Sequence, residues 1–249
     1  MTKDEVFGNN QKSSVRPSEV TTASGSKFIG ATFLYLTIAL LVTFAVVGAL
    51  STLIHFNEDA ILGNIDAFIA IYIAAIIAYI PILIWVHIAG RRNGKTIGPA
   101  FYTYSIVMGV LISPACLLAG FWTVLIALGS TCLAFAVMAL IAWTSKKNLS
   151  HLAVIGFGLL VGALVLSLFN IILYLFVGFQ PLYWLVSFLF FFAIILLTIF
   201  DLNNVKQIAM NGGAEKNVAF LCALNLYVDF IYIFIRLLRI LIILFGNRR

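Results

Sequence analysis

Four ionised side chains lie within long apolar runs of this chain, where charges are rare. They are Asp201, Asp229, Arg236 and Arg239, and Lys206 lies near the end of one of these runs. At the centre of a bilayer each charge costs roughly 2.5 to 3.5 kcal/mol, even on the insertion scale that gives the lowest values. Ionisable groups kept inside apolar segments usually face the interior of a helix bundle or a water-filled path, so each of the four is a candidate functional residue.

Asp201 and Asp229 are the two residues whose chemistry suits proton or cation binding. Two carboxylates close together in a low dielectric cannot both ionise easily, so such a pair titrates as a unit and can sense protons. When deprotonated, the same oxygens with nearby amides or carbonyls suit Ca²⁺, or anchor an arginine. Helical spacing adds one amide to each face, because Asn204 follows Asp201 by three residues and Asn225 precedes Asp229 by four.

Arg236 and Arg239 lie toward the end of the last apolar run, three residues apart on one helical face. Long side chains near a helix end can extend to the lipid headgroups, whereas an aspartate is too short to do so. Both arginines are also about two or more helical turns beyond Asp229, too far along the helix to neutralise it directly. We therefore expect them at the membrane interface, and the aspartates must find their counter-charge elsewhere.

The composition as a whole indicates an all-α integral membrane protein. Hydrophobic residues make up 63% of the 249 residues and charged residues only 10%, whereas an ordinary soluble domain is about a quarter charged. A helix needs about 20 apolar residues to cross the hydrocarbon core of a bilayer. Residues 28–249 are predicted to form a single membrane domain with seven such segments, at about 28–54, 66–89, 100–119, 121–144, 151–178, 182–208 and 217–245.

The basic residues follow the topology of such a bundle, and no nucleic-acid partner is expected. Lys and Arg occur in the amino-terminal tail and in the second, fourth and sixth connections, whereas the first, third and fifth carry none. This distribution predicts a cytoplasmic amino terminus. Residues 1–27 are expected to form a polar, disordered cytoplasmic tail. The terminal Arg248 and Arg249 oppose this orientation, which leaves open a variant in which the last segment re-enters the membrane.

Helix geometry allows Asp201 and Asp229 to meet. If the sixth helix ends near Met210 and the seventh begins near Lys216, Asp201 lies about 14 Å and Asp229 about 20 Å from their shared membrane face. The difference is roughly one helical turn, which a modest tilt of either helix absorbs.

Glycines and prolines within the spans predict close contacts and breaks. Gly158 and Gly162 stand four residues apart in the fifth span, a spacing that permits close packing of two helices. Ser113 and Pro114 predict a turn at which a helix ends, because proline removes a backbone donor.

Four stretches resemble the Bax inhibitor-1 family. Residues 221–241, "LCALNLYVDFIYIFIRLLRIL", resemble its last-helix signature, which is close to "GALxLYLDFINLFLxLLRILG". In the same order as in the family, "YSIVMGVLISP" (104–114) resembles the third-helix "GLTLSP" turn and "IFDLNNVKQI" (199–208) resembles the "YDTQKI" region. Between them, residues 145–173 resemble the stretch that leads through the fifth helix, and the final "FGNRR" is similar to bacterial members. Four motifs in order over nearly the whole membrane portion make the resemblance specific.

The resemblance implies a seven-transmembrane-helix bundle whose last helix is central. It implies a pH-sensitive Ca²⁺ leak across the bacterial inner, or plasma, membrane, with Asp201 and Asp229 as the sensing pair and as the residues that meet calcium. In bacterial members an arginine at the inner end of the second helix is thought to latch onto this pair. Arg91 or Arg92 is the nearest equivalent here, in a stretch that is several residues longer than that of the family. The resemblance implies the lipid bilayer and Ca²⁺ as partners, and no cofactor.

Two other functions remain open at this point. Some bacterial relatives are understood to bind a membrane protease, so the first alternative to a leak is a non-enzymatic regulator that binds such a protease or another membrane partner. The second alternative is a proton-coupled transporter of small solutes. An enzyme is not expected, because neither aspartate stands in the "GxGD" pattern of intramembrane aspartyl proteases and no rhomboid-type "GxSG" serine is paired with a membrane histidine. The three cysteines are widely spaced in apolar runs, which indicates buried packing and not a disulfide framework or metal site.

Overall fold

Apolar runs that cross lipid can satisfy their backbone hydrogen bonds only as helices. The computed structural model describes residues 17–56, 65–91, 96–145, 149–177, 182–213 and 215–245. Within these ranges the helices are α1 (Pro17–Phe56), α2 (Ile65–Arg91), α3 (Ile97–Ala119), α4 (Phe121–Thr144), α5 (Ser150–Val177), α6 (Tyr183–Met210) and α7 (Lys216–Phe245). Their bounds agree with the seven predicted segments to within a few residues, except at the start of α1.

Six of these helices, α1 to α6, are long and apolar enough to cross a membrane. Large apolar side chains such as Leu118, Leu175 and Phe176 point away from the bundle and are exposed, a surface that suits lipid and not water. The helix α7, which contains Asp229 and two arginines, is not one of the six spans found among the described residues. A helical membrane protein is therefore confirmed, whereas the count of seven spans stays a prediction.

The last helix lies at the centre of the bundle. It packs against α1, α2, α3, α4 and α6. Its large side chains Leu224, Tyr227, Ile231, Phe234 and Leu238 are almost completely buried. The fifth helix is peripheral and packs chiefly on α6. Because α7 has protein on most sides, the packing of several helices fixes its position and rotation.

The first helix begins well before the predicted span. The expectation of a disordered tail over residues 1–27 is wrong from Pro17 onward, where the chain is helical, and residues 1–16 lie outside the described part. Proline favours the first turn of a helix because its φ angle is already suitable and its missing N–H has no partner there. Gly25 approaches the carbonyl oxygen of Ala209 on α6 so closely that no Cβ fits between them. The amino-terminal part of α1 is therefore packed on α6.

A glycine turn joins α6 to α7 and sets their antiparallel arrangement. Gly212 and Gly213 have φ angles of 96° and 80°, in the left-handed region that glycine adopts without strain. Their N–H groups donate to the carbonyls of Ala209 and Ile208 at 3.1 and 2.9 Å, which caps the end of α6. This short connection brings the second half of α6 beside the first half of α7.

The close packing predicted at Gly158 and Gly162 of α5 was wrong. No atom of another helix lies within 4 Å of a Cβ built on Gly158 or Gly162, whereas Gly156 packs against Ala193 and Leu197 of α6. The spacing of small residues does not determine which face of a helix meets a neighbour.

The turn predicted at Ser113 and Pro114 is absent, because α3 continues to Ala119 and ends at Gly120. Pro114 cannot donate to the carbonyl of Val110, and the hydroxyl of Ser113 donates to that carbonyl at 2.8 Å in its place. The hydrogen bond lets the helix pass through the proline.

Candidate functional site

The two predicted aspartates lie near each other on neighbouring helices. Asp201 of α6 is within electrostatic range of Asp229 of α7, and each residue is half-buried. Asp201 is also within electrostatic range of Cys222, which precedes Asp229 by two helical turns on the same face of α7. The structure thus brings the pair together, at the level that the helix rise predicted.

One of the two carboxyl oxygens of Asp229 lacks a hydrogen-bond donor among the described residues. This oxygen, Oδ2, is buried. The hydroxyl of Thr198 on α6 is within hydrogen-bonding reach of the Asp229 carboxyl group and also lies 2.8 Å from the carbonyl oxygen of Ile194. A buried ionised carboxylate is normally surrounded by donors or cations. The Oδ2 atom of Asp229 therefore suits a proton or a cation that lies between the two aspartates.

A polar stripe runs along one face of α7. It consists of residues at helical spacing, each three or four positions after the one before: Cys222, Asn225, Asp229, Tyr232, Arg236 and Arg239. Asn225 and Arg239 are exposed and Tyr232 is 45% exposed, whereas the opposite face of the helix is buried. An otherwise central helix thus leaves part of its polar face open to the outside of the bundle.

Helices α6 and α2 flank the polar stripe. On the α6 side lie Thr198 and Asp201. On the α2 side, Tyr79 lies within hydrogen-bonding reach of Tyr232 and accepts a hydrogen bond of 3.2 Å from the hydroxyl of Tyr104. Hydroxyl groups therefore line the part of the stripe that follows Asp229, so polar atoms extend along α7 beyond the two aspartates.

Behind the stripe, hydroxyl groups join the first and last helices. Thr43 of α1 and Tyr227 of α7 are buried, with their hydroxyl oxygens 2.6 Å apart, and Thr43 also lies 3.0 Å from the carbonyl oxygen of Ser105. Sequence reasoning missed these residues and the tyrosines beside them. The available signal was weak, because hydroxyl-bearing residues inside apolar spans are common and usually bond to their own helix.

Arg91 and Arg92, the predicted latch, follow a close contact between α2 and α7. Arg91 is the last residue of α2, and its side chain and all of Arg92 lie outside the described residues. The residue before it, Gly90, meets the side chain of Leu221 on α7 with no room for a Cβ. Leu221 is the neighbour of Cys222, so α2 ends beside the segment of α7 that faces Asp201.

The two predicted supporting amides have different surroundings. Asn225 is exposed on the polar stripe, one turn before Asp229, whereas Asn204 is half-buried on α6. A third amide, Asn203, was not predicted: it is 1% exposed, and neither its nitrogen nor its oxygen has a hydrogen-bond partner among the described residues. Asn203 follows Asp201 by two residues and so points to a different side of α6.

Lys206 belongs to the end of α4 and not to the carboxylate pair. Its ammonium group donates to the carbonyl oxygens of Trp143 and Ser145 at 2.8 and 2.6 Å, and more weakly to that of Ala142 at 3.4 Å. The last carbonyls of a helix have no partners within the helix and carry partial negative charge. Lys206 therefore caps α4 from α6.

The described residues contain no cluster of three or more His, Cys, Asp or Glu side chains that could hold a metal. A cation at the pair would meet two carboxylates, and Asn225 lies one helical turn before Asp229 on the same face of α7. The hard oxygens suit Ca²⁺, but high-affinity calcium sites use six to eight ligands. Any binding here is expected to be weak.

Comparisons with known proteins place the chain among bacterial membrane proteins. The family model described as "Inhibitor of apoptosis-promoting Bax1" matches residues 25–247. A membrane protein of Streptococcus pyogenes serotype M1 is 32% identical over 187 residues, which cover 74% of this chain and 80% of that protein. YrjE of Lactococcus lactis is 31% identical over 68% of this chain and 72% of its own length. The inner membrane protein YbhL of Escherichia coli K12 is 32% identical over 46% of this chain and 48% of YbhL.

Proposed function

The chain belongs to the family of the inhibitor of apoptosis-promoting Bax1, the Bax inhibitor-1 family of membrane proteins, and we propose that it is a pH-sensitive leak for Ca²⁺. In this proposal the leak crosses the bacterial cell membrane and is gated by Asp201 and Asp229, with the amino terminus in the cytoplasm. The observation that carries the proposal is the buried Oδ2 atom of Asp229, which has no hydrogen-bond partner in the described residues and lies in the field of a second carboxylate.

The gate is electrostatic. While Asp201 and Asp229 share at most one proton, the pair keeps a negative charge and holds Arg91 or Arg92 at the inner mouth. Acidification protonates the pair, removes that charge and releases the arginine, so flux is expected to rise as the pH falls. The contact of Gly90 with Leu221 supports this mechanism, because it holds the end of α2 beside the segment of α7 that faces Asp201.

In this proposal the path follows the part of the polar stripe from Asn225 to Tyr232, which precedes the two arginines. Its amide, carboxylate and hydroxyl oxygens are the ligand types that Ca²⁺ prefers. Conduction also requires that each site bind the ion weakly enough to release it. Two carboxylates with one nearby amide meet that condition better than a full calcium cage would. The proposed function includes no covalent chemistry.

Calcium flux into proteoliposomes tests the proposal. The full chain is reconstituted, and flux is measured between about pH 8 and pH 6 for the wild type, Asp201→Asn, Asp229→Asn and the double variant. Glu215→Gln is the matched control, because Glu215 is exposed at the start of α7, away from the pair. We expect flux that rises on acidification in the wild type and the control, and flux that no longer responds to pH in the double variant.

Two outcomes would reject the leak. One is unchanged flux and unchanged pH dependence in the double variant. The other is an absence of flux from the purified wild type at every pH, together with a stoichiometric membrane protease on cross-linking in native membranes. The second result would favour a non-enzymatic regulator of that protease.

A further inference from the structure

A cleft at the opposite end of the bundle from the α6–α7 turn contains both arginines of the polar stripe. Arg236 donates a hydrogen bond of 3.3 Å to the hydroxyl of Ser187, and its guanidinium lies 5.8 Å from the ring centroid of Phe190. The guanidinium of Arg239 lies 5.0 Å from the ring centroid of Tyr183. We call this the arginine cleft, which lies between α6 and α7 and is lined by Tyr183, Trp184, Ser187, Phe188, Arg236, Arg239 and their apolar neighbours.

The arginine cleft carries two positive charges and no negative one from its own walls. None of the described residues that line it is acidic. Asp229 precedes Arg236 by seven residues, about 10 Å along the helix, which is too far for a direct ion pair. Ser187 and the aromatic rings orient the two guanidinium groups without neutralising them. The cleft therefore attracts an anion.

Aromatic residues indicate the depth of the cleft in the membrane. Tyr183 and Trp184 begin α6, and these two residue types are enriched where the hydrocarbon core meets the headgroups. The wall of the cleft is apolar and faces outward, since Phe188 is 56% and Ile243 52% exposed. Charge at headgroup level beside an exposed apolar wall matches a molecule with an anionic head and a hydrocarbon chain.

We propose that the arginine cleft binds an anionic phospholipid. Its phosphate lies between Arg236 and Arg239, and an acyl chain packs along Phe188 and Ile243. Guanidinium groups recognise phosphate through paired N–H donors, and rings that already contact the arginines reduce the entropy lost on binding. A free phosphate would leave the apolar wall uncovered. The site is separate from the carboxylate pair and does not depend on the proposed leak.

Native mass spectrometry of the purified full chain tests the proposal without any variant. Detergent micelles are supplemented with phosphatidylglycerol, with phosphatidylcholine of the same chain length, or with inorganic phosphate. We expect retention of one phosphatidylglycerol in preference to phosphatidylcholine, and a higher melting temperature with phosphatidylglycerol alone. Equal retention of the two lipids would overturn the proposal. An equal rise in melting temperature with inorganic phosphate would assign the site to a free anion and would also overturn it.

Substitutions locate the lipid. Arg236→Gln and Arg239→Gln are each expected to weaken phosphatidylglycerol binding about fivefold, and the double variant about 25-fold. The matched control is Lys27→Gln, which removes an exposed basic residue of α1 on another part of the bundle. If a glutamine variant does not fold, Ser187→Ala and Arg239→Lys provide milder changes at the same cleft. Wild-type affinity in the double variant would show that the lipid binds elsewhere.

Discussion

The hydroxyl oxygens of Thr43 and Tyr227 lie 2.6 Å apart and join the first helix to the central last helix. Both residues are completely buried, and Tyr227 stands two residues before Asp229 on α7. The bond therefore helps to fix the position and rotation of the helix that carries the polar stripe.

Replacing Thr43 by valine should destabilise the bundle. The change keeps the shape of the side chain but removes the hydroxyl that contacts Tyr227, and hydrogen bonds between membrane helices contribute about 0.6 to 1.7 kcal/mol. Thermal unfolding in detergent measures the loss. Thr37→Val is the control on the same helix, because the exposed Thr37 hydroxyl donates to the carbonyl of Phe33 on its own helix. Equal stability of the two variants would contradict the role of the Thr43–Tyr227 bond.

Replacing Lys206 by methionine should uncap α4. The variant keeps most of the apolar stem but removes the ammonium group that donates to Trp143 and Ser145. Hydrogen bonds from a charged group contribute about 1.5 to 3 kcal/mol, so a lower melting temperature is expected. Lys27→Met, at an exposed position of α1, should change stability little. An unchanged melting temperature in Lys206→Met would show that water replaces the cap without cost.

Two glycines of α1 should respond in opposite directions to alanine. Gly25 has no room for a Cβ because the carbonyl of Ala209 lies against it, whereas a Cβ on Gly30 meets nothing within 4 Å. Gly25→Ala should destabilise the protein by about 1 to 3 kcal/mol through overpacking. Gly30→Ala should leave it unchanged or stabilise it by up to about 1 kcal/mol through helix propensity. Similar melting temperatures for the two variants would mean that the amino-terminal part of α1 does not pack on α6.

Thiol labelling tests whether water reaches the polar stripe. Asn225→Cys should react quickly with a membrane-impermeant thiol reagent in proteoliposomes, because the proposed path is hydrated there. Leu168→Cys on α5 is the control: Leu168 is 57% exposed but faces outward from an apolar helix, where lipid excludes the reagent. Both variants are made with Cys132→Ala, since Cys132 is the exposed native cysteine among the described residues. Equally slow labelling at both positions would exclude a water path along the stripe.

The sequence by itself determined the class of the protein and the level of the aspartates. Apolar segments of membrane length appear directly in the chain, and helices form there because lipid offers no other partner for the backbone. A charge inside such a segment is visible because it is costly, which identified Asp201 and Asp229. Helix rise then placed the two at similar depth, since distance along a helix depends only on residue number.

Tertiary structure alone decided which way each helix face points. The exposure of Asn225, the contact between Thr43 and Tyr227, and the packing of Gly156 in place of Gly158 and Gly162 all depend on helix rotation. In segments that are apolar on every side, rotation follows from the combined packing of all the neighbours, and no local pattern of polar and apolar residues specifies it. The same reason explains why the arginines, expected only at the interface, line a cleft with Ser187 and Tyr183.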